Sequence, residues 1–257
     1  MKIKPEFILC ADKDAVAAKA CEIFIESADA AIRQRGRFLC AISGGQTPIT
    51  FFKFIVSRDR ELSLDWQRIH IFWVDERFVP VDHKDNNYKT AAELFLNNVD
   101  IPLANIHRIK TEFKDAASAA KDYEDHIRAV FALRQYEMPR FDLVMLGMGA
   151  DGHTASLFAG SPAIRDTAHL VAAAHEPNIT HDRITLTGQV LKVAEKILLQ
   201  ITGTEKAEML REAFTTEADA MMRPIQLLWP VMEKVVWLID QDAGAMLPKD
   251  MSGGHAR

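Results

Sequence analysis

Phe141-Asp142-Leu143-Val144-Met145-Leu146-Gly147-Met148-Gly149-Ala150-Asp151-Gly152-His153-Thr154-Ala155-Ser156 is the stretch on which the fold of this chain turns. It opens as a short apolar run, the pattern of a parallel strand buried on both faces. Glycines and an aspartate then stop the strand abruptly, and His153 arrives where a short helix is expected to begin. Glycine lets the backbone take positive φ and lets a ligand approach the main chain closely. A histidine held there titrates near neutrality and can accept and return a proton.

Working outward, similar units lie on both sides. Glu6–Cys10 reads as a strand, followed by an alanine-rich helix from about Asp14 to Arg35 with Val16, Ala20, Ile23 and Ala30 on one face. Gly36 is placed to end it. Phe38–Ile42 is an all-apolar strand, and Ser43-Gly44-Gly45-Gln46-Thr47-Pro48 turns into a helix with Thr47 at the N-cap and Pro48 in the first turn. Arg68–Val74 is a third strand, ending in the charged loop Asp75-Glu76-Arg77. Helices are expected over Tyr88, Ala91 and Phe95, and from Asp115 to Leu133 with Ala116, Ala120, Tyr123, Ile127 and Val130 as the buried stripe. Later strands fall at Leu170–Ala174, Arg183–Thr187, Lys196–Thr202 and Val235–Ile239, with a helix starting at Gly203-Thr204-Glu205-Lys206. Alternating strands and helices predict an α/β fold, a three-layer α/β/α sandwich with a mainly parallel sheet. No linker composition appears, so residues 1–242 read as a single catalytic domain and 243–257 as a frayed tail.

Composition narrows the function. A chain of 257 residues with 48% hydrophobic and 26% charged residues is an ordinary globular enzyme by make-up. A net charge of -5 argues against a general nucleic-acid binder, yet permits a locally basic pocket. Cys10, Cys21 and Cys40 lack metal or redox spacing and read as free buried thiols in a reducing compartment. No segment has the length of a membrane span, and Asp12, Lys13 and Asp14 interrupt any leader-like run, so the expectation is a cytoplasmic protein. Asn178-Ile179-Thr180 is then a chance sequon.

In α/β sheets ligands collect outside the carboxyl ends of the strands. Three polar motifs coincide there, after Ile42, Val74 and Leu146. Ser43, Gly44 and Gly45 before a helix start form a turn in which bare N–H groups hold a phosphate, or a plain strand-to-helix turn. The Gly-Lys-Ser/Thr ending of a nucleoside-triphosphate loop is absent. Arg77 offers a planar fork to phosphate or carboxylate oxygens. Asp75 is placed to hold a substrate hydroxyl or orient a catalytic group. Gly147, Gly149 and Gly152 fit the dinucleotide fingerprint, with Glu176 near the expected offset. Gly160-Ser161-Pro162 would break the required helix, which disfavours that cofactor. The other histidines show no metal-ligand spacing and no G-x-S-x-G elbow is present, so neither a metal site nor a Ser156 nucleophile is expected. Ser156 is expected to pack or cap. Arg183 and Lys206 are ordinary surface charges by type, but each adjoins a turn where a phosphate site could be completed.

Together these residues resemble the 6-phosphogluconolactonase family, within the group that includes glucosamine-6-phosphate deaminases. The stretches that carry the resemblance are Ser43–Pro48, Trp73–Pro80, Leu146–Gly160, Arg183-Ile184-Thr185 and Gly203–Lys206. The resemblance implies a Rossmann-like fold and cofactor-free hydrolysis of 6-phospho-D-glucono-1,5-lactone in the oxidative pentose phosphate pathway. It implies His153 as general base; Asp151 and Asp75 are the two residues placed to orient the imidazole, and sequence does not choose between them. Ser43, Gly44, Gly45, Arg77, Gly149, Arg183 and Lys206 would then handle the phosphorylated sugar lactone. The deaminases carry a glutamate five residues after the motif histidine; Phe158 stands there, which favours the lactonase. Ala159 and Asn86 depart from the family's usual proline and serine. The alternatives are an amino-sugar-phosphate deaminase or isomerase and a non-catalytic sugar-phosphate sensor.

Overall fold

The computed structural model describes residues 5–62, 64–175 and 179–248. Among these, ten strands occur: β1 (Glu6–Cys10), β2 (Phe38–Ile42), β3 (Ile69–Trp73), β4 (Asp75–Arg77), β5 (Ile106–His107), β6 (Leu143–Gly147), β7 (Val171–Ala174), β8 (Arg183–Leu186), β9 (Lys196–Ile201) and β10 (Val235–Asp240). The α-helices are α1 (Lys13–Arg35), α2 (Gln46–Leu62), α3 (Asn87–Leu94), α4 (Ala116–Val130), α5 (Gly188–Val193), α6 (Ala207–Thr215) and α7 (Gln241–Gly244). Seven strands form one sheet in the order β1-β10-β9-β6-β2-β3-β5, and every neighbouring pair is parallel. Every residue of β2 and β10 is buried, as a strand covered on both faces must be.

Crossovers between parallel strands are right-handed, so the direction of each step across the sheet decides the face its helix covers. The steps β1 to β2, β2 to β3 and β3 to β5 run one way and put α1, α2 and α3 on one face. The steps from β5 to β6, β9 and β10 run back and put α4, α5 and α6 on the other. Contacts agree: α1 packs on α2, α2 on α3, and α4 on β7 and β8. The predicted three-layer sandwich is therefore present.

α1 begins where Asp12 accepts the N–H groups of Asp14 and Ala15, both at 2.9 Å, and ends at Gly36 (φ +78°). Its buried face runs through Val16, Ala20, Ile23, Ser27 and Ala31; Ala30, expected on it, is exposed. Helix α2 starts at Gln46, one residue before the expected cap at Thr47. Gly45 (φ +95°) makes the turn and Pro48 falls within the first helical turn, where no intrahelical N–H is needed.

Asp75-Glu76-Arg77 is not a loop. It is β4, the edge of a second, antiparallel sheet in the order β4-β8-β7. A charged triplet lacks the apolar signature of a strand, and only pairing with β8 reveals it. Ala243, where the chain reads as a tail, lies buried in α7, and Leu247 is also buried. Residues 249–257, Glu176 and Asn178 lie outside the described residues. Cys10, Cys21 and Cys40 are free and buried, and burial pushes the Cys21 thiol up to about 11. No helix among the described residues is long and apolar enough to cross a membrane.

Candidate active site

Strand order reverses between β2 and β6. From β2 the chain steps outward to β3 and β5, then returns to the opposite side of β2 as β6. That reversal is where an open α/β sheet offers a crevice. The pairing of β2 with β6 spans only Cys40↔Leu143 and Ala41↔Val144. Beyond it the strands part, and the Ser43 hydroxyl donates to the Met145 carbonyl at 2.9 Å, replacing a ladder bond. Above this gap opens a cavity of about 1030 Å³.

One wall is the Ser43-Gly44-Gly45 turn and the start of α2. Helix α2 has no acidic residue in its first turn, so its positive end is not neutralised locally. Gly44 admits no side chain, because a Cβ there would lie 1.9 Å from Oδ1 of Asn87, whose Nδ2 is held by the Asp75 carbonyl at 2.9 Å. Cations converge on the cavity from separate elements: Lys13, Lys53, Arg77 and Lys206, against Asp14, Asp75 and Glu205. Four positive groups against three negative ones make the pocket locally basic in a chain of net charge -5.

The opposite wall carries His153. Asp151 Oδ1 lies 2.5 Å from His153 Nδ1 and 3.2 Å from the His153 amide. The bond from His153 pulls the Asp151 carboxyl down to about 2, outweighing burial. An ionised carboxylate only accepts, so the shared proton belongs to Nδ1, and in the neutral imidazole the lone pair is on Nε2. The expected helix at His153 does not form. Thr154 donates to the Gly147 carbonyl at 2.9 Å and bridges Leu157, and Ala155 takes φ +51°, which a helix forbids. The Phe158 ring packs against His153 with centroids 4.7 Å apart.

Gly149 lies directly beneath the His153–Asp151 pair. A Cβ on it would sit 2.1 Å from His153 Nδ1 and 2.4 Å from Asp151 Oδ1. Its N–H donates to the His153 carbonyl at 2.8 Å, so that N–H is already engaged within the loop. The Ser43 hydroxyl is likewise engaged by Met145. Asp75 lines the cavity but meets Ser156, whose hydroxyl donates to Asp75 Oδ2 at 2.6 Å. Asp151, and not Asp75, thus holds the imidazole, and Ser156 serves Asp75.

Arg77 and Arg183 face each other across the β4–β8 register. Each also donates to a loop carbonyl at 2.8 Å: Arg77 Nη1 to Asp85 and Arg183 Nη1 to His181. Burial, and then the neighbouring Arg77, draw Arg183 below the usual arginine range. Two adjacent guanidiniums repel, and an anion between them relieves the repulsion. Arg77 lines the cavity, and Arg183, its register partner, does not. Beneath them, Glu76 accepts the N–H groups of Arg77, Asn87 and Tyr88 at 2.7–2.8 Å, and burial pushes its carboxyl up to about 7.

A family model described as glucosamine-6-phosphate isomerases/6-phosphogluconolactonase matches residues 11–237. The chain belongs to this family. It is 36% identical to a 6-phosphogluconolactonase of Nostoc sp. over 236 residues, spanning 92% of this chain and 95% of the relative. It is 37% identical to a 6-phosphogluconolactonase of Synechocystis sp. over 217 residues, spanning 84% and 88%. A solved 6-phosphogluconolactonase from Trypanosoma cruzi matches with a TM-score of 0.82 at 26% identity, covering 95% of this chain and 97% of that one. A monomeric glucosamine-6-phosphate deaminase shares the fold at TM-score 0.79 and 18% identity, covering 94% and 99%.

Several cavity residues escaped the sequence reading. Asn87, at the first position of α3, bridges to the Asp75 carbonyl; the Asn86-Asn87 pair before a helix was its only signal. Lys13 and Lys53 belong to helices, where a lysine is indistinguishable in sequence from any solvated charge. Outside the cavity lining, His83, Asp85 and His181 converge in the loops whose carbonyls Arg77 and Arg183 bond, although sequence spacing suggested no metal-ligating group.

Proposed function

We propose that the chain hydrolyses 6-phospho-D-glucono-1,5-lactone to 6-phospho-D-gluconate, with His153 as general base. The observation that carries this reading is the 2.5 Å His153–Asp151 pair in one cavity with a helix start that has no acidic residue in its first turn and with a cluster of cations. A phosphate held by the Gly44–Gly45 turn, the α2 N-terminus and Lys206 anchors one end of the sugar. This leaves the lactone carbonyl near the imidazole. Nε2 takes a proton from water as the oxygen attacks C1, and the new imidazolium is stabilised by Asp151. With the Gly149 N–H engaged, Arg77 is the donor assigned to the developing oxyanion. The imidazolium returns its proton to the ring oxygen as the ester bond opens. Asp75, fixed by Ser156, is suited to a substrate hydroxyl. Phe158 sits against His153 where an amino-sugar deaminase would need a carboxylate, which supports the lactonase over that alternative. Such chemistry fits a cytoplasmic enzyme.

The test is lactone disappearance measured against the spontaneous rate, alongside ammonia release from glucosamine 6-phosphate. Acceleration of the first without the second is expected. Binding of 6-phosphogluconate with no acceleration would instead make the protein a sensor. A finer test is Gly149→Ala. Its methyl must push the imidazole off Asp151, and a misplacement of about 1 Å costs roughly 10²-fold in rate. The expected result is that loss in kcat with unchanged far-ultraviolet circular dichroism. Full activity would mean that the position of the pair does not matter.

A further inference from the structure

We infer that His83, Asp85 and His181 form a binding site for a first-row divalent transition metal of the Zn²⁺ type, separate from the His153 centre. The three residues come from two loops: His83 and Asp85 follow β4, and His181 precedes β8. Their ligand atoms all lie within 4.8 Å of one another. His181 Nε2 is 3.3 Å from Asp85 Oδ2, and His83 Nδ1 is 3.8 Å from the same oxygen. Ligands about 2.1 Å from a tetrahedral Zn²⁺ stand about 3.4 Å apart, so the His181–Asp85 spacing already fits and His83 needs only a small shift.

The hydrogen bonding points the same way. His83 Nδ1 accepts the Asp85 amide N–H at a long 3.2 Å, so it is the unprotonated ring nitrogen, and a metal would take its lone pair in place of that weak bond. This nitrogen therefore faces Asp85 Oδ2, a second acceptor, at a distance too long for a hydrogen bond. A cation between two acceptors turns this unfavourable contact into two bonds. Two imidazoles and one carboxylate suit Zn²⁺, Co²⁺ or Ni²⁺; Mg²⁺ and Ca²⁺ prefer all-oxygen sets. All three side chains are partly exposed, which leaves an entry path and room for water as a further ligand. The cations Arg77 and Arg183 are turned to the carbonyls of Asp85 and His181, so the ligand loops and the two guanidiniums are joined by direct bonds.

Co²⁺ is the probe. The full-length protein, freed of metal by chelator and dialysis, is titrated with Co²⁺ and followed by its visible absorption, then competed with Zn²⁺. One equivalent per chain is expected, displaced by Zn²⁺. Affinity should fall by at least roughly ten-fold in His181→Ala and in Asp85→Asn, since even outer-shell changes cost that much. His169→Ala, which disrupts a two-residue His–Asp pair, should leave it unchanged. If His181→Ala fails to fold, His83→Gln provides the same comparison. Substoichiometric binding, or equal affinity in wild type and folded His181→Ala or His83→Gln, overturns the site. A consequence that rests on the lactonase reading is a severalfold higher kcat, at little changed KM, when metal orders Arg77 through the Asp85 loop. Bound Co²⁺ with an unmoved kcat would overturn that coupling.

Discussion

Replacing His153 with alanine is expected to lower lactone turnover by about 10²–10⁴-fold, the usual worth of a positioned general base. The loss should appear in kcat with little change in KM, because the groups proposed to hold the phosphate, Gly44, Gly45 and Lys206, line the cavity apart from the imidazole. Asp151→Asn should cost less. The amide can still accept from Nδ1 but cannot stabilise the imidazolium by charge, and it can also hold the wrong tautomer. The assay is the initial rate of lactone loss, corrected for the spontaneous reaction, at saturating and limiting substrate. A His153→Ala enzyme with wild-type kcat would remove the imidazole from the mechanism.

The second large effect concerns stability in acid. His70, His107 and His126 form a hydrogen-bonded row, with His107 Nε2 3.0 Å from His70 Nδ1 and His107 Nδ1 2.8 Å from His126 Nε2. Burial, and then the neighbouring His126 and His70, push His107 down to about 3 from the ordinary 6.5. His70 and His126 are lowered too, chiefly by burial. A base with a depressed folded-state pKa binds more protons when unfolded. Its stabilising contribution is therefore full above pH 6.5 and is lost as pH falls toward 3. Between pH 7 and pH 5, His107 alone should cost about 2 kcal/mol of unfolding free energy. Glu76 acts in the opposite sense. Its raised carboxyl keeps a proton in the native state between 4.5 and 7, so its contribution falls as pH rises. The comparison must therefore be with a variant. His107→Phe keeps the stacking on Phe72, whose ring centroid is 4.2 Å away, and removes the titrating group. Urea unfolding at pH 7 and pH 5 should show the variant losing about 2 kcal/mol less than wild type over that interval. Equal losses in both proteins would show that His107 does not govern acid stability.

Much of the site was legible because its three anchoring loops share one physical cause. β2, β3 and β6 are short apolar runs, and each ends abruptly in glycine or charge: Ser43-Gly44-Gly45, Asp75-Glu76-Arg77, and Gly147 through Gly152. A strand buried on both faces must be apolar, and whatever ends it at the carboxyl side of a parallel sheet faces the crevice. Local pattern therefore reported both the fold class and the residues that line the cavity. The same pattern could not show that Asp75–Arg77 pairs with β8, because an edge strand of charged residues has no apolar periodicity. Nor could it rank Asp151 against Asp75 as the partner of His153, since both are aspartates beside the crevice.

The order of apolar and polar residues by itself determined an α/β sandwich and a histidine-bearing glycine loop at a strand end, because burial and backbone freedom are local requirements. Only the tertiary structure decided which groups touch. It gave Asp151 to His153 and Ser156 to Asp75, closed the Ser43 hydroxyl onto Met145, set Arg77 opposite Arg183, and brought His83 to His181. Apart from Asp151–His153, which the folding of one loop brings together, those pairings are set by strand register and crossover handedness, which join residues far apart along the chain and leave no trace in their spacing.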